Sequence, residues 1–266
     1  DQHGTAVVVL AATLNALRIT GKRPQDMKLV VTGAGAAGWA CTRALKDLGL
    51  GNIVVCDRQG ALHRGRDVGD NPAKQWFVEN TNADQERGGV KDVIPGADMF
   101  MGLSSPGLLN REDVKRMAAD PVIFAMANPD PEITYPDAKD ARDDVIMATG
   151  RSDYPNQVNN VLGFPFIFRG ALDVRAKAIT PNMMLAATRA LADLARQEVP
   201  ESVMMAYGDE HIEFGREYII PKPLDPRLIT WVAPAVASNG AAERVRKATD
   251  QSARVHELTA VIIVPS

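Results

Sequence analysis

Short, continuous runs of apolar residues alternate along this chain with longer stretches in which apolar residues recur at helical spacing. The runs are Met27–Thr32, Asn52–Cys56, Met99–Leu103, Val122–Met126 and Val145–Ala148. Strands that are apolar throughout, rather than at every second position, are typical of a parallel sheet covered by helices on both faces. The pattern therefore predicts an α/β fold with a doubly wound, mainly parallel sheet.

Additional helices are predicted at both ends of this sheet-forming region. An alanine-rich helix spans Gly4 to Leu17, and a second one runs from Thr180 to about Gln197, with Thr180 as its N-cap. A last helix begins near Asp225, and the proline-rich stretch Arg151–Phe168 is predicted as a loop. We expect one domain over residues 1–266, with a core at about 22–175, helices at about 176–247 and an unassigned tail at 248–266.

Composition excludes several classes of function. The net charge is -3 and basic residues are scattered, so a nucleic-acid partner is not expected. The longest apolar run, Ala6–Ala12, is shorter than a membrane span requires, so no membrane partner is expected either. The two cysteines, Cys41 and Cys56, lack the spacing of a metal site, which favours buried thiols and a cytoplasmic location. Because the chain starts at Asp1 without a methionine, we expect that an N-terminal part is missing.

A glycine cluster between the first predicted strand and its helix is the strongest chemical signal. Gly33, Gly35 and Gly38 form a GxGxxG motif with Ala36 and Ala37 between the last two glycines, and Asp57 ends the next strand. In a Rossmann-type fold these glycines allow a tight turn, the approach of a pyrophosphate and close helix packing, while the acid holds the adenosine ribose. Small residues that only pack a crossover are the alternative. The order of strand, glycines, helix, strand and acid favours dinucleotide binding.

The choice between NAD and NADP rests on charges near the ribose. Asp57 would repel the 2′-phosphate of NADP, whereas Arg58 and Lys74 could neutralise it or be ordinary solvated charges. We expect a slight preference for NAD.

Polar residues follow several of the other strands, where ligands bind in open α/β sheets. Three such segments, 102–107, 127–131 and 149–153, are polar and rich in turn residues, and each is alternatively a plain turn. Ser104 and Asn128 stand in the first two. Asn159 and Asn160 are adjacent amides flanked by apolar residues. Their donors and acceptors suit a carboxylate or a carboxamide, although capping of the next helix explains them equally well.

Taken together, these motifs resemble those of the malic enzymes, which convert malate to pyruvate and carbon dioxide while reducing a nicotinamide cofactor. The resemblance rests on successive segments in family order: Asp1–Ala6, Gly33–Gly38, Ala127–Pro129, Ala148–Ser152, Asn159–Val161, Gly163–Pro165 and Tyr218–Pro223. It implies that the chain is the NAD(P)-binding domain of such an enzyme. It also implies malate and pyruvate as ligands and a homo-oligomer, either a dimer or a tetramer.

The resemblance assigns roles to individual residues. Asp1 matches a carboxylate ligand of Mg²⁺ or Mn²⁺, Asn128 and Asn160 match amides that hold malate, and Asn159 matches a cofactor contact. Thr5, Ser104 and Asn128 join the glycine-loop residues in the expected cofactor site. The general-acid tyrosine and general-base lysine of the family lie upstream of the matching region. We therefore expect no catalytic acid or base here, and a chain that binds dinucleotide without decarboxylating malate.

Two other classes of function stay open at this point. Another two-domain dehydrogenase, of the amino-acid type, would share the glycine loop but not necessarily the asparagines. A non-catalytic module that senses NAD would need no acid or base at all.

Overall fold

A six-stranded sheet forms the centre of the computed structural model, which describes residues 2–208 and 211–242. The strands are β1 (Lys28–Thr32), β2 (Asn52–Asp57), β3 (Gly60–Ala61), β4 (Met99–Gly102), β5 (Val122–Ala125) and β6 (Ile146–Thr149). Their spatial order is β3-β2-β1-β4-β5-β6, and all neighbours are parallel except β3, which runs antiparallel to β2. The doubly wound, mainly parallel Rossmann-type sheet is confirmed. Its chain order reverses direction at β1, between β2 and β4.

Helices lie on both faces of the sheet and at the C-terminal side of the chain. They are α1 (Gln2–Thr20), α2 (Ala36–Asp47), α3 (Pro72–Asn80), α4 (Val90–Val93), α5 (Arg111–Lys115), α6 (Tyr135–Ala141), α7 (Phe164–Asp173), α8 (Pro181–Ala195) and α9 (Glu201–Tyr207). Residues 227–242 are also helical. Short 3-10 turns occupy Pro24–Asp26 and Asn160–Leu162.

Burial on both faces explains why the strands are apolar throughout. Along β1, Leu29 and Val31 belong to one core cluster and Val30 to the other, because successive side chains of a strand point to opposite faces. The first cluster includes residues of α1, α2 and α8, and the second includes residues of α4, α5 and α6. The sheet is therefore the middle layer of three.

Helix α1 is buried on most of its surface. By length and composition alone this helix could cross a membrane, but 61% of its most apolar window is buried inside the protein. It packs against α2 and α8. Its buried Asn15 donates from Nδ2 to the carbonyls of Ala192 and Ile219 and accepts from Arg196. The amide of Asn15 is thus fully hydrogen-bonded inside the protein. The apolar composition of α1 is explained by the burial of this helix in the core.

Two regions show how local rules succeed and fail outside the sheet. Thr180 caps α8 as predicted, since its hydroxyl accepts a hydrogen bond from the Met183 N–H at 3.3 Å. The loop prediction for 151–168 is wrong from Phe164 onward, where α7 begins. Pro165 stands in the first turn of α7, where its missing N–H costs nothing. The proline that favours a loop in the sequence pattern thus lies in the first turn of a helix.

Both cysteines are buried free thiols, as the sequence predicts. Burial raises the pKa of Cys41 and of Cys56 to about 12, so neither thiol ionises near neutral pH. They serve as small apolar side chains in the core.

Candidate dinucleotide-binding site

The turn between β1 and α2 is a position where only glycine fits. Gly33 has a φ of +107°, and a Cβ atom there would lie 2.6 Å from the carbonyl oxygen of Leu103. A Cβ atom on Gly38 would lie 1.9 Å from the carbonyl oxygen of Gly33. The first contact brings the turn against the end of β4, and the second brings α2 against the turn. Both glycines therefore serve the close approach of backbone segments.

Gly35 differs from the other two glycines because the space beside it is open. A Cβ atom there would meet nothing within 4 Å. Gly35 is the N-cap of α2, which begins at Ala36 and Ala37, and the first N–H groups of a helix have no partner within it. An open space at a helix N-terminus suits an anionic phosphate, which those N–H groups and the helix dipole both attract.

Asp57, at the end of β2, is already bound to two cations. Its Oδ1 atom accepts from Arg66 at 2.6 Å and from the Gln59 N–H at 2.9 Å, and its Oδ2 atom accepts from Lys74 at 2.7 Å. A carboxylate offers roughly four lone-pair positions, so about one is left for a ribose hydroxyl. The side chain of Asp57 is only 9% exposed.

The charges of Asp57, Arg66 and Lys74 add up to a net positive charge. Burial by itself would raise the pKa of Asp57, but the hydrogen bonds from Lys74 and Arg66 outweigh it and hold the pKa below its ordinary value of 3.8. One negative and two positive charges therefore share the end of β2. Arg58 follows on the exposed side of the chain.

Beyond the glycine turn, a crevice of about 680 Å³ opens at the carboxyl ends of β4, β5 and β6. This volume is in the range of small-molecule sites. Five of the predicted site residues line it: Thr5, Ala37, Asn128, Asn159 and Asn160. Ser104 is exposed next to Leu103, which is itself in the lining. Asp57 and Arg58 at the end of β2, together with Lys74 on α3, do not line this crevice and form a separate region of the same sheet edge.

The two adjacent asparagines occupy different positions. Asn159 caps the 3-10 turn that follows it, because its Oδ1 atom accepts from the Val161 N–H at 3.0 Å. The alternative of a capping role is therefore real, and it leaves the amide NH₂ group for other partners. Asn160 lies against the start of α1, because a Cβ atom added to Gly4 would be 3.3 Å from the Cβ atom of Asn160. This close approach brings Thr5 and the asparagines to one wall.

Several residues of this region were missed by reasoning from the sequence. Arg66 is one, although it lies only nine positions after Asp57. Arg151, which the sequence places in the polar segment 149–153 without a role of its own, lines the crevice and binds Asp153 through two hydrogen bonds of 2.8 and 2.7 Å. Buried Asn156 joins the segment after β6 to the rest of the chain, donating to the carbonyls of Met147 and Arg216. The signal that the sequence offers for Arg66 is its closeness along the chain to Asp57, the acid predicted to hold the ribose.

The described part of the chain does not contain a complete set of ligands for a divalent cation. Among those residues there is no group of three or more carboxylate, histidine or cysteine side chains that could hold one. Asp1, the predicted metal ligand, lies outside the described residues. Its metal role stays a prediction from the resemblance.

Comparison with known families gives a match over most of the chain. The family described as "Malic enzyme, NAD binding domain" matches residues 2–207. The chain is 55% identical over 239 residues to the NADP-dependent malic enzyme of Escherichia coli. It is 50% identical over 240 residues to the NAD-dependent malic enzyme of Geobacillus stearothermophilus. Each alignment covers 89% of this chain.

The fold comparison agrees with the sequence comparison. The crystal structure of the NAD-dependent malic enzyme from Thermotoga maritima superposes with a TM-score of 0.78 at 42% identity, covering 89% of this chain and 58% of that one. The chain spans 31% of the Escherichia coli protein and 46% of the Geobacillus protein. What it matches is thus one part of longer proteins.

Proposed function

Because this chain belongs to the family of malic enzyme NAD-binding domains, we propose that it binds a nicotinamide dinucleotide within an enzyme that oxidatively decarboxylates malate to pyruvate. The observation that carries the proposal is the open space at Gly35, at the N-terminus of α2. It lies between a cationic region at the end of β2 and a crevice lined by amides at the ends of β4 to β6. An extended dinucleotide with a central pyrophosphate matches these three regions in their order along the sheet edge.

Each part of the dinucleotide then has a place. The adenosine ribose lies at the end of β2, beside Asp57, and the pyrophosphate lies at Gly35 and the first turn of α2. The nicotinamide enters the crevice, where the amide of Asn159 is a suitable partner for its carboxamide. Asn128 and Asn160 also face the crevice, and their NH₂ groups can donate to the carboxylates of malate. These residues bind and orient the two reactants for hydride transfer.

Proton transfer needs groups that this part of the chain does not place in the crevice. None of its described lining residues is a tyrosine, a lysine or a histidine, and Asp153 is held by Arg151. We therefore propose that the acid and base come from another part of a longer protein, and that these 266 residues alone do not turn over malate. The same part would complete any Mg²⁺ or Mn²⁺ site to which Asp1 contributes. An oligomeric state and a cytoplasmic location stay predictions.

For the cofactor we propose NADP rather than NAD, against the slight preference that the sequence suggests. Asp57 on its own would repel a 2′-phosphate, but Arg66 and Lys74 more than neutralise it. Two of its three hydrogen bonds come from these cations, which leaves a ribose hydroxyl little of the carboxylate to bind. The Escherichia coli relative is named an NADP-dependent enzyme, which supports this choice, whereas the Geobacillus relative is named NAD-dependent.

Fluorescence titration of the purified chain with NADPH and with NADH tests the proposal directly. We expect saturable binding of both, with NADPH the tighter ligand. A second assay measures NADPH formation from malate, with Mn²⁺ and NADP. It compares the chain alone with a longer protein that contains this chain. We expect turnover from the longer protein only. Absence of saturable binding of either dinucleotide to the folded chain would overturn the proposal.

A further inference from the structure

Glu132 is a fully buried carboxylate that stands between two segments of the crevice wall. Its exposed fraction is 0%, and its two oxygens accept from different segments of the chain. The Ser104 N–H donates to Oε1, and the Ala127 N–H donates to Oε2, each at 3.0 Å. Ser104 follows β4 and Ala127 follows β5. One side chain thus joins the ends of two neighbouring strands.

The segments that Glu132 joins carry crevice residues directly beside the bonded N–H groups. Leu103 precedes Ser104, and Asn128 follows Ala127; both Leu103 and Asn128 line the crevice, as does Ala127 itself. Glu132 itself does not line the crevice and contacts its wall through these two hydrogen bonds. Its own backbone carbonyl accepts from the Leu109 N–H at 3.0 Å, which ties the same loop to the chain a second time.

The surroundings of Glu132 are shaped for a carboxylate. A Cβ atom on Gly102 would lie 2.2 Å from the Glu132 Cδ atom, so the last residue of β4 has to be glycine for this side chain to enter. Within the described residues, no lysine, arginine or histidine forms an ion pair with it. A buried carboxylate without a cation is a costly arrangement. A glutamine of the same shape would cost less to bury, but only a carboxylate accepts with both terminal atoms.

We propose that Glu132 is a positioning residue for the nicotinamide half of the dinucleotide site. It holds the segments after β4 and β5 at a fixed position relative to each other. The proposal rests on the proposed function and adds to it a residue that touches neither cofactor nor substrate. Adenosine binds at the end of β2, on the other side of the glycine turn. Loss of Glu132 should therefore affect the two halves of the cofactor differently.

The test compares whole and half ligands on Glu132→Gln. The whole ligand is whichever of NADPH and NADH binds the wild-type chain more tightly, and the half ligand is 2′,5′-ADP or ADP accordingly. Glutamine places an NH₂ group against one of the two N–H donors, and we expect about ten-fold weaker binding of the dinucleotide. Affinity for the adenosine half should change by less than about two-fold, because its contacts lie elsewhere.

Asp113→Asn controls for the loss of a buried carboxylate's charge, and Asp113, unlike Glu132, is paired with a cation, Arg116 at 2.6 Å. Asp113 is also a buried carboxylate, 2% exposed, and it accepts from the Asn110 N–H at 3.0 Å in the capping box of α5, away from the crevice. This variant should lose stability and bind the dinucleotide as the wild type does. Equal weakening of both ligands by Glu132→Gln, or no weakening of either, would overturn the positioning role while the proposed function stood. No binding by the wild type would overturn both.

A measurement on the wild-type chain keeps the proposal testable if Glu132→Gln does not fold. Hydrogen exchange monitored by NMR should show the amides of Ser104 and Ala127 protected before any ligand is added, since both donate to a buried acceptor. Exchange of these two amides at the rate of an unprotected peptide would show that the two segments are not held in place before the ligand binds.

Discussion

The carbonyl oxygen of Gly33 lies so close to α2 that a Cβ atom on Gly38 would be 1.9 Å from it. The obstacle is backbone and cannot rotate away. We expect Gly38→Ala to move the helix from the turn and to lower the free energy of unfolding by about 1–3 kcal/mol. Urea denaturation measures this change.

Gly35→Ala is the matched comparison, because the same methyl group would meet no protein atom within 4 Å. Stability should fall by less than about 1 kcal/mol, the usual cost of an alanine N-cap. Binding of the dinucleotide should weaken strongly, since the methyl group takes the space proposed for the pyrophosphate. If Gly35→Ala binds NADPH as tightly as the wild type, the pyrophosphate is not at this turn.

Lys74→Gln tests the proposed preference for NADP. The change removes one of the two cations on Asp57, so the negative charge of this carboxylate is less neutralised and repels a 2′-phosphate more strongly. We expect affinity for NADP to fall about ten-fold more than affinity for NAD, in line with the loss of one charge-assisted contact. Parallel fluorescence titrations with NADPH and NADH measure the ratio.

Lys46→Gln serves as the control for that experiment. Lys46 is on α2 and donates to the Asn80 carbonyl at 2.7 Å, with no contact to Asp57. It should leave the NADP to NAD ratio unchanged. An equal loss for both cofactors in Lys74→Gln would show that Lys74 does not meet a 2′-phosphate.

Asn159→Asp separates capping from ligand binding. Aspartate keeps the oxygen that accepts from the Val161 N–H, so the 3-10 turn stays capped and the Tm should stay close to that of the wild type. The NH₂ group that can donate to the nicotinamide carboxamide is lost, so affinity for the dinucleotide should fall. Asn159→Ala, which removes the cap as well, should lower both Tm and affinity. Unchanged affinity in Asn159→Asp would leave Asn159 with the capping role alone.

Acid stability should depend on Asp144. The hydrogen bond from Arg142, with Nε at 2.8 Å, is the largest cause that lowers the pKa of Asp144 from 3.8 to about 2. Because the folded pKa lies below the unfolded one, the ionised group stabilises the fold above pH 3.8, and this contribution is lost as the pH falls toward about 2. Asp144→Asn should therefore be less stable than the wild type at neutral pH.

Urea unfolding at a series of pH values tests the sign of this dependence. The free energy of unfolding of the wild type should fall more steeply between pH 3.8 and about 2 than that of Asp144→Asn. The exposed neighbour variant, Asp143→Asn, should keep the wild-type slope. Equal slopes for Asp144→Asn and the wild type would show that this ion pair does not contribute to acid stability.

Much of the fold can be predicted from the sequence because the determinants are local. The buried strands show as apolar runs, since both faces of a parallel sheet are covered, and Thr180 marks the start of α8 through a hydrogen bond three residues along the chain. The glycine turn is equally legible, because only glycine fits at Gly33 and Gly38. The helix start at Phe164 was missed, since proline occurs both in loops and in the first turns of helices.

By itself the sequence determined the sheet, the glycine turn and the set of amides near it, because residue type and spacing along the chain are enough for these features. Only the tertiary structure decided that Asp57 is held by Arg66 as well as Lys74, and that Glu132 bonds to Ser104 from 28 positions away. These contacts depend on how the loops after different strands converge at one sheet edge. The packing of the whole domain sets that geometry, and no local pattern in the chain encodes it.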